Sequence, residues 1–310
     1  MGAIYWKEMA DHFSRRRFII VLGLVLFSVL WGLFVILREL DGGARAADEF
    51  LFLNAFLRGS GLLPPLLFFI GFFGPIIGIT LGFDAVNSER TQGTLSRLLA
   101  QPIYRDQVFN GKFLAALSTL SLVVAGMVLG VVGLEMFILG IPPAGQEIVR
   151  LLGFTAITIA YLGVWLALAM MASVFMRNVV ASALVAIGIW LLTGFIIVIA
   201  SSAVADVIVP EIETAEEALR HFRIDTWIRR LSPGELFQEA TSILLDPIEG
   251  RTLTPLAMAS IQGGERLLVT PVAASQSLLL VWPHIVALVG MLGSLVGVSY
   301  WKFMREEVRS

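Results

Sequence analysis

Cysteine is absent from this chain of 310 residues, which removes disulfides, thiolate metal sites and cysteine nucleophiles together. It leaves the redox compartment open. Lysine is scarce: Lys7, Lys112 and Lys302 are the full set, so arginine carries nearly all the positive charge. Charged residues are only 15% of the chain, against about 25% in an ordinary soluble domain. The net charge of −2 offers no basic surface for nucleic acid. Six long runs contain no Asp, Glu, Lys or Arg at all: 18–37, 61–83, 113–134, 151–176, 179–205 and 278–301. An intramembrane enzyme or an ion-coupled carrier needs ionisable groups at bilayer depth, and these runs lack them. Motifs for soluble chemistry are missing too. There is no Gly-x4-Gly-Lys-Ser/Thr loop to cradle ATP phosphates, no His-Glu-x-x-His zinc pair and no Gly-x-Ser-x-Gly elbow.

What is present is apolar surface. Hydrophobic residues make up 57% of the chain, and the mean hydropathy is +0.85. A water-soluble fold could not hide this much, so the bilayer is part of the solvent. A spanning helix needs about 20 apolar residues, and each run supplies that length. The expectation is an all-α polytopic protein with six transmembrane helices. Loop charge sets its orientation. The segments before the first run, between the second and third, between the fourth and fifth, and after the sixth carry 12 Lys/Arg. The two short opposite loops carry four: Arg38, Arg45, Arg58 and Arg150. Positive-inside places both termini in the cytoplasm of a multi-pass protein of the cell membrane. The long 206–277 segment then lies outside. Arg15, Arg16 and Arg17 followed by an apolar run mimic a signal peptide. The run of 20 exceeds the usual core of about 7–15 residues, so a retained helix is expected. Ahead of it, Tyr5, Met9 and Phe13 share one helical face beside Trp6, which predicts an interfacial helix over 1–17. The chain thus divides into 1–17, five spans over 18–205 with a loop at 84–112, an outer segment at 206–277, and a sixth span with its tail over 278–310.

Polar groups near the bilayer are few. His284 lies 18 residues before Lys302, roughly 27 Å along a helix, so it belongs near the outer interface, as does Glu135. Glycine repeats every four residues at Gly74, Gly78 and Gly82, at Gly126 and Gly130, and at Gly293 and Gly297. Such faces let helix backbones approach, within one chain or across a dimer seam. Pro75 and Pro283 are candidate kinks. In the outer segment, Thr214 and Glu217 form a capping box before a face of Ala215, Leu219, Phe222, Ile228 and Leu231. Ser232-Pro233-Gly234-Glu235 reads as a second capping box, with Pro at the first helical position. Leu236, Phe237, Ala240 and Leu244 give that helix its apolar face, and Asp246-Pro247 stops it. This segment serves as a docking surface for an outer partner or as a lid on the spans.

The densest signal is the loop at 84–112. It runs Glu89-Arg90-Thr-Gln-Gly93-Thr94-Leu95, then Leu98-Leu99, Pro102, Arg105 and Lys112. Gly93 breaks the preceding helix and Thr94 can cap a new one. Leu95, Leu98 and Leu99 share a face at i, i+3, i+4. Pro102 ends it, and Arg105 with Asp106 starts the next helix. The product is a short helix with an apolar stripe at the membrane surface, which suits a groove on another protein.

This spacing resembles the ABC-2 type transporter permeases, and within them the branch that includes the nitrous-oxide-reductase maturation permease. The likeness covers the N-terminal helix, all six spans, the loop and the Ser232-Pro233 helix. It implies an ABC-2, type V exporter-like transmembrane domain. It implies that Glu89, Arg90, Gly93, Thr94, Leu95, Leu98, Leu99, Pro102 and Arg105 form or brace the coupling contact with a separate ATPase subunit. It also implies two permease copies, two ATPase copies, and ATP with Mg held by the partner and none by this chain. The function implied is a non-catalytic permease subunit that couples ATP hydrolysis to export. Two alternatives stay open: mechanotransmission to an outer protein through 206–277, and a stand-alone channel or carrier.

Overall fold

A computed structural model describes residues 2–14, 17–41, 50–57, 65–93, 104–210, 214–246 and 272–305. Among these residues every regular element is helical and no strand occurs. We number the helices in chain order: α1 (Gly2–Ser14), α2 (Arg17–Asp41), α3 (Leu51–Leu57), α4 (Leu66–Gly82), α5 (Asn87–Thr91) and α6 (Arg105–Leu139). There follow α7 (Gly145–Phe175), α8 (Val179–Ile208), α9 (Ala215–Arg229), α10 (Pro233–Leu245) and α11 (Ala274–Arg305). Five helices are long and apolar enough to cross a membrane: α4 with its extension through α5, α6, α7, α8 and α11. The sixth, α2, carries a shorter apolar stretch, Val21–Val35, inside a helix of 25 residues.

The helix α7 is the hub. It packs against α4, α6, α10 and α11, and Tyr161, Trp165 and Phe154 are fully buried along it. Glycine sets how close α4 can come. A Cβ on Gly78 would lie 2.6 Å from the Leu162 carbonyl oxygen, and one on Gly82 would lie 2.6 Å from that of Leu166. Backbone meets backbone there, so no side chain fits. The seam of Gly74, Gly78 and Gly82 therefore faces α7 of the same chain. Gly130 meets Val29 of α2, whereas Gly126, Gly293 and Gly297 face open space within this chain.

Helix α6 has 35 residues, about 52 Å at 1.5 Å each. That exceeds a hydrocarbon core of about 30 Å, so its first turns stand clear of the apolar run. There they meet the end of α11, with the Phe109 ring 5.7 Å from Tyr300 and 5.8 Å from Phe303. The ends of α1, α5 and α11 and the start of α6 thus gather at one end of the molecule. The opposite end holds α9 and α10. α9 packs on α8, and α10 packs on α7 and α11.

Several expectations change in detail. The buried face of α1 is Ile4 and Glu8; Phe13 and Trp6 are exposed. Glu8 makes an ion pair described below. Thr214 and Glu217 do form a reciprocal capping box on α9, but Leu231 is exposed beyond its end. Pro233 opens α10 as expected, yet Ser232 makes no side-chain capping bond. Helix α8 contains a π turn at Leu192–Ile196, at the pair Thr193 and Gly194. Pro75 and Pro283 lie inside the continuous helices α4 and α11.

Candidate coupling site

The described parts of 84–112, residues 84–93 and 104–112, are held from three sides. After α4 the chain turns and begins α5. The backbone N–H groups of Val86 and Asn87 both donate to Ser173 Oγ near the end of α7, at 3.0 and 3.1 Å. Arg90 Nη1 donates to the Val174 carbonyl at 3.0 Å. Ser182 Oγ of α8 donates to the Phe83 carbonyl at 2.7 Å. These bonds pin the turn and α5 to the junction of α7 and α8. Gly93 follows α5 with φ of 67°. That left-handed conformation favours glycine and ends the helix. Of the residues singled out in the sequence, Glu89, Arg90, Gly93 and Arg105 lie in this framework, and Arg105 is the first residue of α6. Thr94, Leu95, Leu98, Leu99 and Pro102 lie outside the described residues.

The centre of the framework is a buried ion triad. Lys112 of α6 places Nζ 2.8 Å from Glu8 Oε1 of α1 and 2.7 Å from Glu89 Oε1 of α5. The Lys112 side chain is only 6% exposed. One ammonium thus ties three separate helices. α1 can lie close because Gly111 precedes the lysine: a Cβ there would sit 3.0 Å from Ile4 Cγ2. Burial alone would push the Glu8 carboxyl up. The Lys112 ammonium and its hydrogen bond outweigh that and hold it below the usual carboxylate range, with Lys7 adding a smaller pull. Glu89 and Lys112 both stand in the loop motif, though their spacing did not announce the pairing. Glu8 was not. Its only signal is an acidic residue four positions from Ile4 on a helix otherwise read by its aromatics.

At the other end a second polar framework ties α9 and α10 to the spans. Arg150 of α7 is fully buried. It donates to the Leu244 carbonyl at 2.5 Å, to Ser277 Oγ at 3.1 Å and to the Val272 carbonyl. The end of α10 and the start of α11 are thereby bonded to α7. Glu239 of α10 accepts from Arg230 Nε at 2.9 Å and Nη2 at 2.5 Å. His284 Nε2 of α11 lies 3.1 Å from Glu239 Oε2. Burial would raise the Glu239 carboxyl, but His284 and Arg230 bring it down to about 2. His284, expected at the interface, is buried in this contact, and Glu135 is buried as well. On α9, Asp225 accepts from Ser201 Oγ of α8 at 2.7 Å. Thus α9 rides on α8, and α10 on α7 and α11.

Among the described residues no group of three or more His, Asp or Glu side chains is placed to hold a metal. A family model described as ABC-2 family transporter protein matches residues 2–308. Among curated proteins none matches the chain. With a family match from end to end over a helical, multiply spanning architecture, the chain belongs to the ABC-2 family and is the multi-pass permease subunit of an ABC transporter.

Proposed function

We propose that this permease subunit converts ATP hydrolysis by a separate ATPase subunit into movement of its spans, and that residues 84–112 receive the force. The observation that carries the reading is the Lys112 triad. A push on the loop is delivered through α5 to α7 by the Ser173 and Val174 bonds. The same push reaches α6 and α1 through Lys112. A loop tethered by a flexible linker would absorb such a push; one bonded to three helices moves them. The segment with Leu95, Leu98 and Leu99 would seat in a groove on the ATPase, with Glu89, Arg90 and Arg105 at its rim. ATP and Mg belong to that partner. Two permease copies would each engage one ATPase copy, with both termini in the cytoplasm and export across the cytoplasmic membrane. Purification of the chain from its own membrane tests this. A bound ATPase subunit is expected, with hydrolysis absent from the permease alone. ATP hydrolysis by the partner-free chain would overturn it.

One observation favours a second reading, mechanotransmission to an outer protein. Helix α10 is bonded to α7 and α11 through Arg150, Glu239 and His284, so span movement would carry the outer segment. The two readings part on one measurement: hydrolysis that responds to an added solute supports transport, and hydrolysis that responds only to an outer protein supports mechanotransmission.

A further inference from the structure

Halfway along the spans, α2, α4, α6 and α7 do not close on one another. They leave a cavity of about 270 Å³. All four helices reach it near the middle of their own lengths, through Ser28, Gly74, Val124 and Thr158. Ser28, with its short side chain, helps leave the space, and Gly74 lines it where α4 closes on Leu162. The floor is closed, with Val124 and Leu162 each 2% exposed and Thr158 fully buried. The mouth lies between α2 and α4, where Phe27 is exposed and Leu24 and Phe73 are half-buried. Phe69 bridges the two helices there, its ring 5.1 Å from Phe27 and 6.1 Å from Phe73.

The wall is hydrocarbon apart from two hydroxyls, and both are already bonded to their own helices. Ser28 Oγ donates to the Leu24 carbonyl at 2.8 Å, and Thr158 Oγ1 donates to the Phe154 carbonyl at 2.7 Å. A buried water needs about two to four polar partners, and this wall offers none in excess. An apolar cavity of roughly 150 Å³ stays dry and accepts a benzene-sized guest. This one is larger and opens sideways at mid-span. Left empty, it would forfeit dispersion contacts along its whole lining. The solvent at that depth of a bilayer is the end of a lipid acyl chain.

We propose that the cavity between α2, α4, α6 and α7 is a binding site for the end of a membrane-lipid acyl chain, which enters between Phe27 and Phe73. The site lies inside one permease copy. It rests on the membrane architecture alone and not on coupling to an ATPase. The bound chain fills the gap between α2 and α4, so any motion of α2 relative to α4 squeezes or releases it.

The test uses the full chain in vesicles containing a phospholipid with a photoreactive group at the acyl terminus. Adducts are then mapped by peptide mass spectrometry. Annular lipid reaches outward residues such as Leu122 and Leu129, so adducts there count for nothing. Adducts on Val124, Thr158 or Leu162, which the surface does not expose, are expected in the unaltered chain. Ser28→Phe fills the cavity and should abolish those inner adducts while keeping the outward ones. The unaltered chain decides the matter even if that variant fails to fold, and Ser28→Leu provides a milder filling. Inner residues left unlabelled, whether because the cavity is closed or because a second copy covers its mouth, would overturn the proposal. So would inner labelling that persists unchanged in a folded filling variant.

Discussion

Replacing Lys112 with Met removes the cation from between two carboxylates. The Glu8 side chain is 9% exposed and that of Glu89 14% exposed, so neither can turn freely to water. Breaking a buried pair by deleting one partner costs about 3–5 kcal/mol. The triad borders a polar cavity of about 240 Å³, where water can soften the loss, so the lower end applies. About 3 kcal/mol corresponds to roughly two orders of magnitude in an opening equilibrium. The loss falls on α1, which can leave without unfolding the spans. Hydrogen–deuterium exchange of residues 2–14 in nanodiscs reads it directly. Protection should drop about a hundredfold in Lys112→Met while α7 keeps its own. The pH dependence should also change sign. In the unaltered chain Glu8 has a lowered folded pKa, so its contribution is full above the ordinary value of 4.5 and is lost as pH falls through the folded value. In the variant, two facing carboxylates repel, and acid should restore protection by neutralising one of them. Protection of α1 within about threefold of the parent at neutral pH would refute the reasoning, since a triad worth so little is an exposed pair in energetic terms.

Four further outcomes follow from the same geometry. Gly78→Ala should lower the thermal midpoint in detergent by the equivalent of about 1–3 kcal/mol, because its Cβ meets a backbone oxygen at 2.6 Å; Gly293→Ala, which meets nothing within 4 Å, should not. Arg150→Met should destabilise by about 1–3 kcal/mol for each buried acceptor that loses this donor, and proteolysis should then reach α10 first. Glu239→Gln should mimic acid: the Glu239 tie is complete above 4.5 and lost only as pH falls through about 2. Single cysteines in this cysteine-free chain should be labelled from inside at position 97 and from outside within 206–277, and the reverse would sink the orientation.

The spans were legible because bilayer solvation writes itself into long runs without charge. So was the helix pair α9 and α10: Thr214 and Glu217 sit three apart, and α10 buries Leu236, Phe237, Ala240 and Leu244 as its periodicity requires. What escaped is what joins distant residues. Glu8 and Lys112 are 104 positions apart, and Arg150 reaches 94 positions to Leu244 and 127 to Ser277. A single sequence states that each residue is polar but not which partner it meets. For α1 the aromatics mark the face turned away from the chain, with Trp6 and Phe13 exposed, while the ion pair of Glu8 marks the face turned toward it. The π turn at Leu192–Ile196 falls on Thr193 and Gly194, two weak helix formers, and the Thr193 hydroxyl donates back to the Ile189 and Trp190 carbonyls, so the sequence does carry a local trace of it.

The central claim is that the loop at 84–112 takes force from an ATPase subunit. Burying one leucine is worth about 1.5–3 kcal/mol, less the cost of docking, so two leucines can decide whether a small contact holds. The direct measurement is co-purification of the ATPase subunit, with an assay of outer function, for a variant carrying Leu95→Asp and Leu99→Asp together. The spans should insert normally, since both positions lie outside the apolar runs. The account predicts that the ATPase is lost, or stays bound with hydrolysis uncoupled from outer function. A double variant that keeps a stoichiometric ATPase and full function would contradict it.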